Sequence, residues 1–230
     1  MKATSLHSWN VDYAGARELQ TLLAPRVSHE NAVPEAPRLI AGVDISGAER
    51  AAEALGAVVV LRYPEMELVE VQTVRKVPLI PYIPGLLSFR EIPVLLEAFE
   101  RLESVPDVII CDGHGLAHPR RFGLACHLGM VLDTPSIGCA KSILVGKYGA
   151  LSPEAGSAAA LVDKGEPVGV ALRTQTGKTP VFVSVGHKVD LASAIRWVMA
   201  TVTKYRLPEP GRLAHLAASG RIQSFRALPA

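Results

Sequence analysis

Leu39-Ile-Ala-Gly-Val-Asp-Ile-Ser46 is an apolar run with a single acid, Asp44, set inside it. Its length and composition predict a core strand. Leu55 to Leu61 and Met66 to Val77 predict the next two strands. Pro64 and Glu65 supply a turn between them, and the third strand partly alternates, so the pair reads as a hairpin. Three strands of antiparallel character argue against a purely parallel doubly wound sheet.

Upstream, residues 13–26 predict a short helix on the weak stripe of Leu19, Leu22 and Leu23, followed by a proline-broken connector. Downstream, Pro78-Leu-Ile-Pro-Tyr-Ile-Pro-Gly-Leu-Leu-Ser-Phe89 has three prolines and a glycine, which predict a stiff projecting loop. A helix is expected from Ile92, with Pro93 in its first turn. Asp107 to Cys111 predict a strand, Leu124 to Leu132 a helix, and Pro135 to Cys139 a short strand. Residues 149–160, rich in Gly, Ala and Ser, are expected to be exposed. Val168 to Leu172 and Val181 to Val185 predict a second pair of strands. Asp190 can cap an amphipathic helix whose face is Leu191, Ala194, Ile195, Val198, Met199, Val202 and Tyr205. Arg212 to Ala218 add a further turn or two. With no repeat or linker, residues 1–230 are expected to form a single α/β domain.

Composition narrows the function little. A net charge of +2 over 230 residues leaves any basic surface to be local. No stretch approaches the ~20 apolar residues of a membrane span, and the N-terminus lacks the apolar centre of a secretory signal. Cys111, Cys126 and Cys139 lie in or near apolar segments without zinc-type spacing, as expected for buried free thiols of a reducing compartment; cytoplasm is the expected location.

Chemistry is concentrated at strand ends. Asp44 sits inside an apolar strand and Asp112 at the end of another, and two carboxylates at corresponding strand positions suit a hard cation such as magnesium. A buried acid of this kind has otherwise to be paired or hydrogen-bonded. Glu91 is a third candidate. Ser88-Phe-Arg-Glu91 also fits a capping box, but that register would put Pro93 inside the helix; a start near Ile92 leaves Glu91 just outside it. His114 and His118 lack the partners of a structural zinc site. With Pro119, Arg120 and Arg121 they read as a phosphate-facing cluster or a solvated loop. Lys141 is a phosphate contact if it lies near Asp112 and a surface lysine otherwise. Tyr82 either stacks on a base or packs its own loop. His187 and His215 are weaker signals. The glycines form neither a Walker loop nor a dinucleotide fingerprint, so ATP and NAD are not indicated.

Several longer motifs occur in order: Ala41-Gly-Val-Asp-Ile-Ser46, Pro81-Tyr-Ile-Pro-Gly-Leu-Leu-Ser-Phe-Arg-Glu91, Asp112-Gly-His-Gly-Leu-Ala-His-Pro-Arg-Arg-Phe-Gly123, Ile137-Gly-Cys-Ala-Lys-Ser142, Val183-Ser-Val-Gly-His187 and Arg206-Leu-Pro-Glu-Pro210. Together they resemble the endonuclease V family of deoxyinosine-specific repair nucleases over about residues 10–220. The resemblance implies a ribonuclease-H-like core, a mixed five-stranded sheet flanked by helices with its first three strands antiparallel. It implies a monomer that binds deoxyinosine-containing DNA, uses Mg²⁺ (with Mn²⁺ substituting) and cuts the second phosphodiester bond 3′ to the lesion. Asp44, Glu91 and Asp112 would form the acidic metal centre, with Lys141 and His215 as further catalytic groups. Tyr82 would be the wedge in a nucleic-acid surface that also includes Ile83, Pro84, Gly85, Leu87, Gly113, His118, Arg120 and Gly138. Gly47 stands where the family often has an aromatic residue, which bears on lesion preference. An inosine-directed endoribonuclease is the close alternative, and a non-catalytic nucleic-acid-binding module a distant one.

Overall fold

A computed structural model describes residues 1–46 and 53–227; Gly47 lies outside them. β1 (Leu39–Ser46) pairs antiparallel with β2 (Ala54–Arg62), and β2 with β3 (Glu67–Lys76). β4 (Val108–Cys111) runs parallel to β1, and β5 (Ser136–Ala140) parallel to β4. The expected mixed sheet is therefore present as β3-β2-β1-β4-β5. The sheet is wider than the expected five strands, however, with nine among the described residues. β6 (Ala158–Asp163), β7 (Glu166–Leu172) and β8 (Val181–His187) extend it beyond β5, all antiparallel, and β9 (Phe225–Arg226) adds to β3. β6 was not legible because its outward residues are small and its pattern is only partly buried.

Period-two alternation sends the sheet's side chains into two apolar layers. Ala41, Val43 and Ile45 of β1 join Ile109 and Cys111 of β4 beneath α2 (Leu87–Glu100) and α3 (Leu124–Leu132). On the other face, Ile40 and Ile110 pack with Ala194, Trp197 and Val198 of α4 (Leu191–Ala200), while Ala57, Val59 and Leu61 of β2 meet Ala214, Ala217 and Ala218 of α5 (Glu209–Ala218). α1 (Tyr13–Leu23), capped by Asp12 and followed by a 3-10 turn at residues 24–26, packs beside α2. All three cysteines are free and buried, and burial pushes the Cys126 and Cys139 thiols up to about 12.

Three helix boundaries differ from expectation. α2 starts at Leu87 rather than near Ile92, so Pro93 lies inside it and Glu91 is helical. No capping box forms; the Ser88 hydroxyl pairs with Nδ1 of His127 instead. An interior proline costs ~3 kcal/mol, but the early turn buries Leu86 and Phe89 to 1% exposure, and each such side chain stabilises by ~1.5–3 kcal/mol. Packing outweighs the local preference. α4 stops at Ala200, where the Thr201 hydroxyl donates back to the Trp197 carbonyl, so Val202 and Tyr205 lie beyond it. α5 begins earlier than expected, at Glu209.

Gly42 explains how α5 reaches the sheet. A Cβ on this residue would lie 2.1 Å from the carbonyl oxygen of Pro210, so only glycine lets the start of α5 rest directly on β1. Gly42→Ala is expected to destabilise the protein by ~3 kcal/mol, the upper end of overpacking costs, because the opposing atom is backbone and cannot rotate away. Urea unfolding midpoints measure this.

Candidate metal centre and nucleic-acid pocket

The parallel register aligns Val43 with Cys111, and the Asp112 amide donates to the Val43 carbonyl at 3.2 Å. The next residues, Asp44 and Asp112, consequently stand side by side at the carboxyl ends of adjacent strands, the usual position for a site in an open α/β sheet. α5, seated on Gly42, brings His215 over them, with its Nδ1 2.8 Å from Oδ2 of Asp44. Ligand atoms of Asp44, Asp112 and His215 all lie within 4.8 Å of one another. Lys141, just past the end of β5, ion-pairs with Oδ2 of Asp112.

Glu91 reaches toward this group from α2. It is outside the 4.8 Å set among the described residues, yet close enough to be held well above the usual carboxylate range. Burial is the main cause, followed by Asp44 and then Asp112, with Arg90 opposing them. Asp44 is also raised, chiefly by burial and then by Asp112, against the lowering influence of His215 and Lys141. These carboxylates repel one another in a poorly hydrated corner. A divalent cation would relieve that repulsion, and two carboxylates with an imidazole and a third acid nearby are a fitting donor set for one.

Beside the centre lies a cleft of ≈ 290 Å³. Asp112 and Lys141 belong to both, forming the wall they share. Of the residues expected to touch nucleic acid, Tyr82, Pro84, Gly85, Leu87, Gly113 and His118 line it. Tyr82 is 41% exposed. Ile83 turns the other way and packs with Ala16, Leu86 and Phe89. Gly138 lies beneath the loop after β4, where a Cβ would be 2.5 Å from the Gly115 amide nitrogen. Gln20, Ser88, Leu124, Ala140, Ile143 and Leu144, none of them expected from the sequence to touch nucleic acid, also line the cleft. Ile143 and Leu144 are exposed apolar residues directly after Lys141 and Ser142, the one signal that could have drawn attention to them.

The histidines of the loop are neutral. Burial pushes His114 down to about 4, and burial with Arg120 does the same to His118. Nδ1 of His118 accepts from the Arg120 amide at 3.2 Å, which leaves Nε2–H to donate to the Gly85 carbonyl at 3.0 Å. Both ring nitrogens are thus engaged within the protein. Arg121 holds the same loop to the β6–β7 hairpin through Asp163 at 2.8 Å and also donates to the His118 carbonyl. His187 lies away from the cleft and accepts from the Ser28 amide. No helix among the described residues is long and apolar enough to cross a membrane.

Comparison with known proteins places this architecture among relatives. The family model for endonuclease V matches residues 21–216. Endonuclease V of Dehalococcoides mccartyi is 51% identical over 219 residues, covering 95% of this chain and 98% of the relative. The crystal structure of endonuclease V from Streptomyces avermitilis superposes with a TM-score of 0.87 at 41% identity, covering 93% of this chain and 94% of that one. Endonuclease V of Ciona intestinalis, in complex with DNA containing an inosine followed by a ribo-adenosine, superposes with a TM-score of 0.78 at 28% identity, covering 90% and 96%.

Proposed function

Because the chain belongs to the endonuclease V family, we propose that it is a DNA repair endonuclease that recognises deoxyinosine and, with Mg²⁺, hydrolyses the second phosphodiester bond 3′ to it, leaving 3′-hydroxyl and 5′-phosphate ends. The observation that carries this reading is the shared wall. Asp112 and Lys141 line the cleft while also contacting the acidic group, so a strand whose base entered the cleft would lay its backbone along the carboxylates. The cleft volume lies near the lower end of the ~300–1,000 Å³ typical of small-ligand sites, a size suited to one flipped base.

In this reading Asp44 and Asp112 hold the cation, with Glu91 behind them and His215 fixing Asp44 by its hydrogen bond. When bound, the cation supplies Lewis-acid stabilisation of the phosphoryl charge and a lowered pKa for water. Lys141, aimed by Asp112, neutralises a phosphate oxygen. Tyr82, exposed on a proline-framed loop, stacks between bases and keeps the strands apart.

A second reading, cleavage of inosine-containing RNA, is favoured by the ribo-adenosine that follows inosine in the DNA bound by the Ciona protein. Strands carrying one inosine, in all-deoxy and all-ribo form, decide between them when incubated with Mg²⁺. The deoxy strand is expected to be nicked and the faster substrate. A nick confined to the ribo strand makes the protein an endoribonuclease, and no nick in either refutes both readings.

A further inference from the structure

Three side-chain donors converge on one backbone oxygen. The Gly85 carbonyl accepts from Nε2 of Gln20 at 3.0 Å, Nε2 of His118 at 3.0 Å and Nη2 of Arg120 at 2.6 Å. The donors also bind one another. Nε of Arg120 donates to Oε1 of Gln20 at 2.6 Å, and the Arg120 amide donates to Nδ1 of His118. Gln20 makes one more bond, from Nε2 to the Phe122 carbonyl at 3.2 Å. With Nε2 serving two carbonyls and Oε1 serving a guanidinium, its amide has only one satisfactory orientation.

Gln20 is fully buried, on α1, 65 residues from Gly85 and about 100 from Arg120 and Phe122. A helix-face glutamine with 0% exposure and every polar atom bonded is unusual for this residue type. Its contacts join α1 to the Tyr82 loop and to the loop after β4. Gly85 itself has φ +79°, and a Cβ there would sit 2.9 Å from Nη2 of Arg120, so the loop's glycine is what admits the clamp. Below it, Ile80 and Ile83 pack against the cluster of Ala16, Leu86 and Phe89. The Tyr82 loop is therefore seated on α1 twice, by apolar contact and by this charge-assisted knot, while Tyr82 faces outward.

We propose that Gln20 is a positioning residue for strand separation: with Arg120 and His118 it locks the Gly85 carbonyl and so holds Tyr82 at the angle needed to enter the duplex. His118 and Arg120 act here by holding the loop, since the bonds they spend on Gly85 and Gln20 are no longer offered to a phosphate. The proposal rests on the reading of Tyr82 as the separating side chain, and it extends that role to a residue on a distant helix.

The test is a double-mutant cycle in the full chain, using wild type, Gln20→Leu, Tyr82→Ala and the pair. Two quantities are read: nicking of an inosine strand, duplex against single-stranded, and the rate at which 2-aminopurine beside the inosine brightens on mixing. Gln20→Leu is expected to lower the duplex-to-single-strand ratio and the brightening rate about tenfold, the size of effect lost with a hydrogen bond to a charged partner. Adding it to Tyr82→Ala is expected to change either quantity less than about twofold, because the clamp then has nothing to aim. Multiplying losses, or equal losses on duplex and single strand, would overturn the proposal in favour of a purely structural role. If Tyr82→Ala brightens and nicks duplex like wild type, the separating role of Tyr82 falls and the clamp proposal with it, while the nuclease reading stands. Should Gln20→Leu fail to fold, Gln20→Met takes its place, and failure of both overturns the proposal.

Discussion

Asp112→Asn is expected to lower single-turnover nicking of an inosine-containing strand by about a thousandfold, or ~4 kcal/mol of transition-state stabilisation. The substitution keeps the shape of the side chain and removes its charge. Three consequences converge. The pair of carboxylates at the ends of β1 and β4 loses half its charge, so cation affinity falls. Lys141 loses the ion pair that aims it along the cleft wall. Asp44 loses one of the two influences that raise it and returns toward its ordinary range. Binding of the same strand and the thermal midpoint, measured in parallel, separate lost chemistry from lost structure; the variant should still bind and fold. A variant that nicks within tenfold of wild type would remove Asp112 from the catalytic centre, and with it the shared-wall argument.

Glu91→Gln is expected to cost activity and add stability, and the sign of its pH dependence distinguishes it from a packing effect. Glu91 is raised well above the usual carboxylate range by burial and by Asp44 and Asp112. A folded state that raises an acid's pKa holds its proton more tightly than the unfolded chain does. Its favourable contribution is fully present below the unfolded pKa, near the ordinary 4.5, and is lost as pH climbs toward the raised value. Wild type without divalent cation should accordingly lose stability from about pH 4.5 upward, and Glu91→Gln should remove part of that slope. At neutral pH the variant should gain ~0.5–2 kcal/mol, as substitutions that relieve strained functional sites commonly do. Its nicking rate should fall by about a hundredfold, the scale of a lost group supporting the metal centre. Urea unfolding at stepped pH, with and without Mg²⁺, reads both effects. A variant that is less stable than wild type across the range would make Glu91 a structural acid paired with Arg90.

What the sequence disclosed and what it concealed follow from the range of the forces involved. β1 to β3 were legible because alternation and a turn are local, and the pairing of Asp44 with Asp112 followed from two strand ends of the same kind. The start of α2 was not, because Pro93 speaks locally while the burial of Phe89 is decided by residues far away in the chain. The same holds for α4, whose apolar spacing runs on through Val202 and Tyr205 although Thr201 closes the helix. The family motifs located the cleft but not all its walls. Gln20 is the sharpest case, since nothing in a helical stretch with a weak leucine stripe marks one glutamine as buried, and all of its partners lie at least 65 residues away.

The width of the sheet bears on the centre in another way. With the order β6-β7-β8-β5-β4-β1-β2-β3-β9, the strands that carry Asp44 and Asp112 have at least three further strands on either side. Sheets fray from their rims, and amide hydrogens near the middle exchange with solvent only when most of the structure opens. Mutual repulsion between acids is thus confined to the part of the framework least able to yield to it. A cation would meet carboxylates already held apart at a fixed spacing, and little of its binding energy would have to go into ordering them.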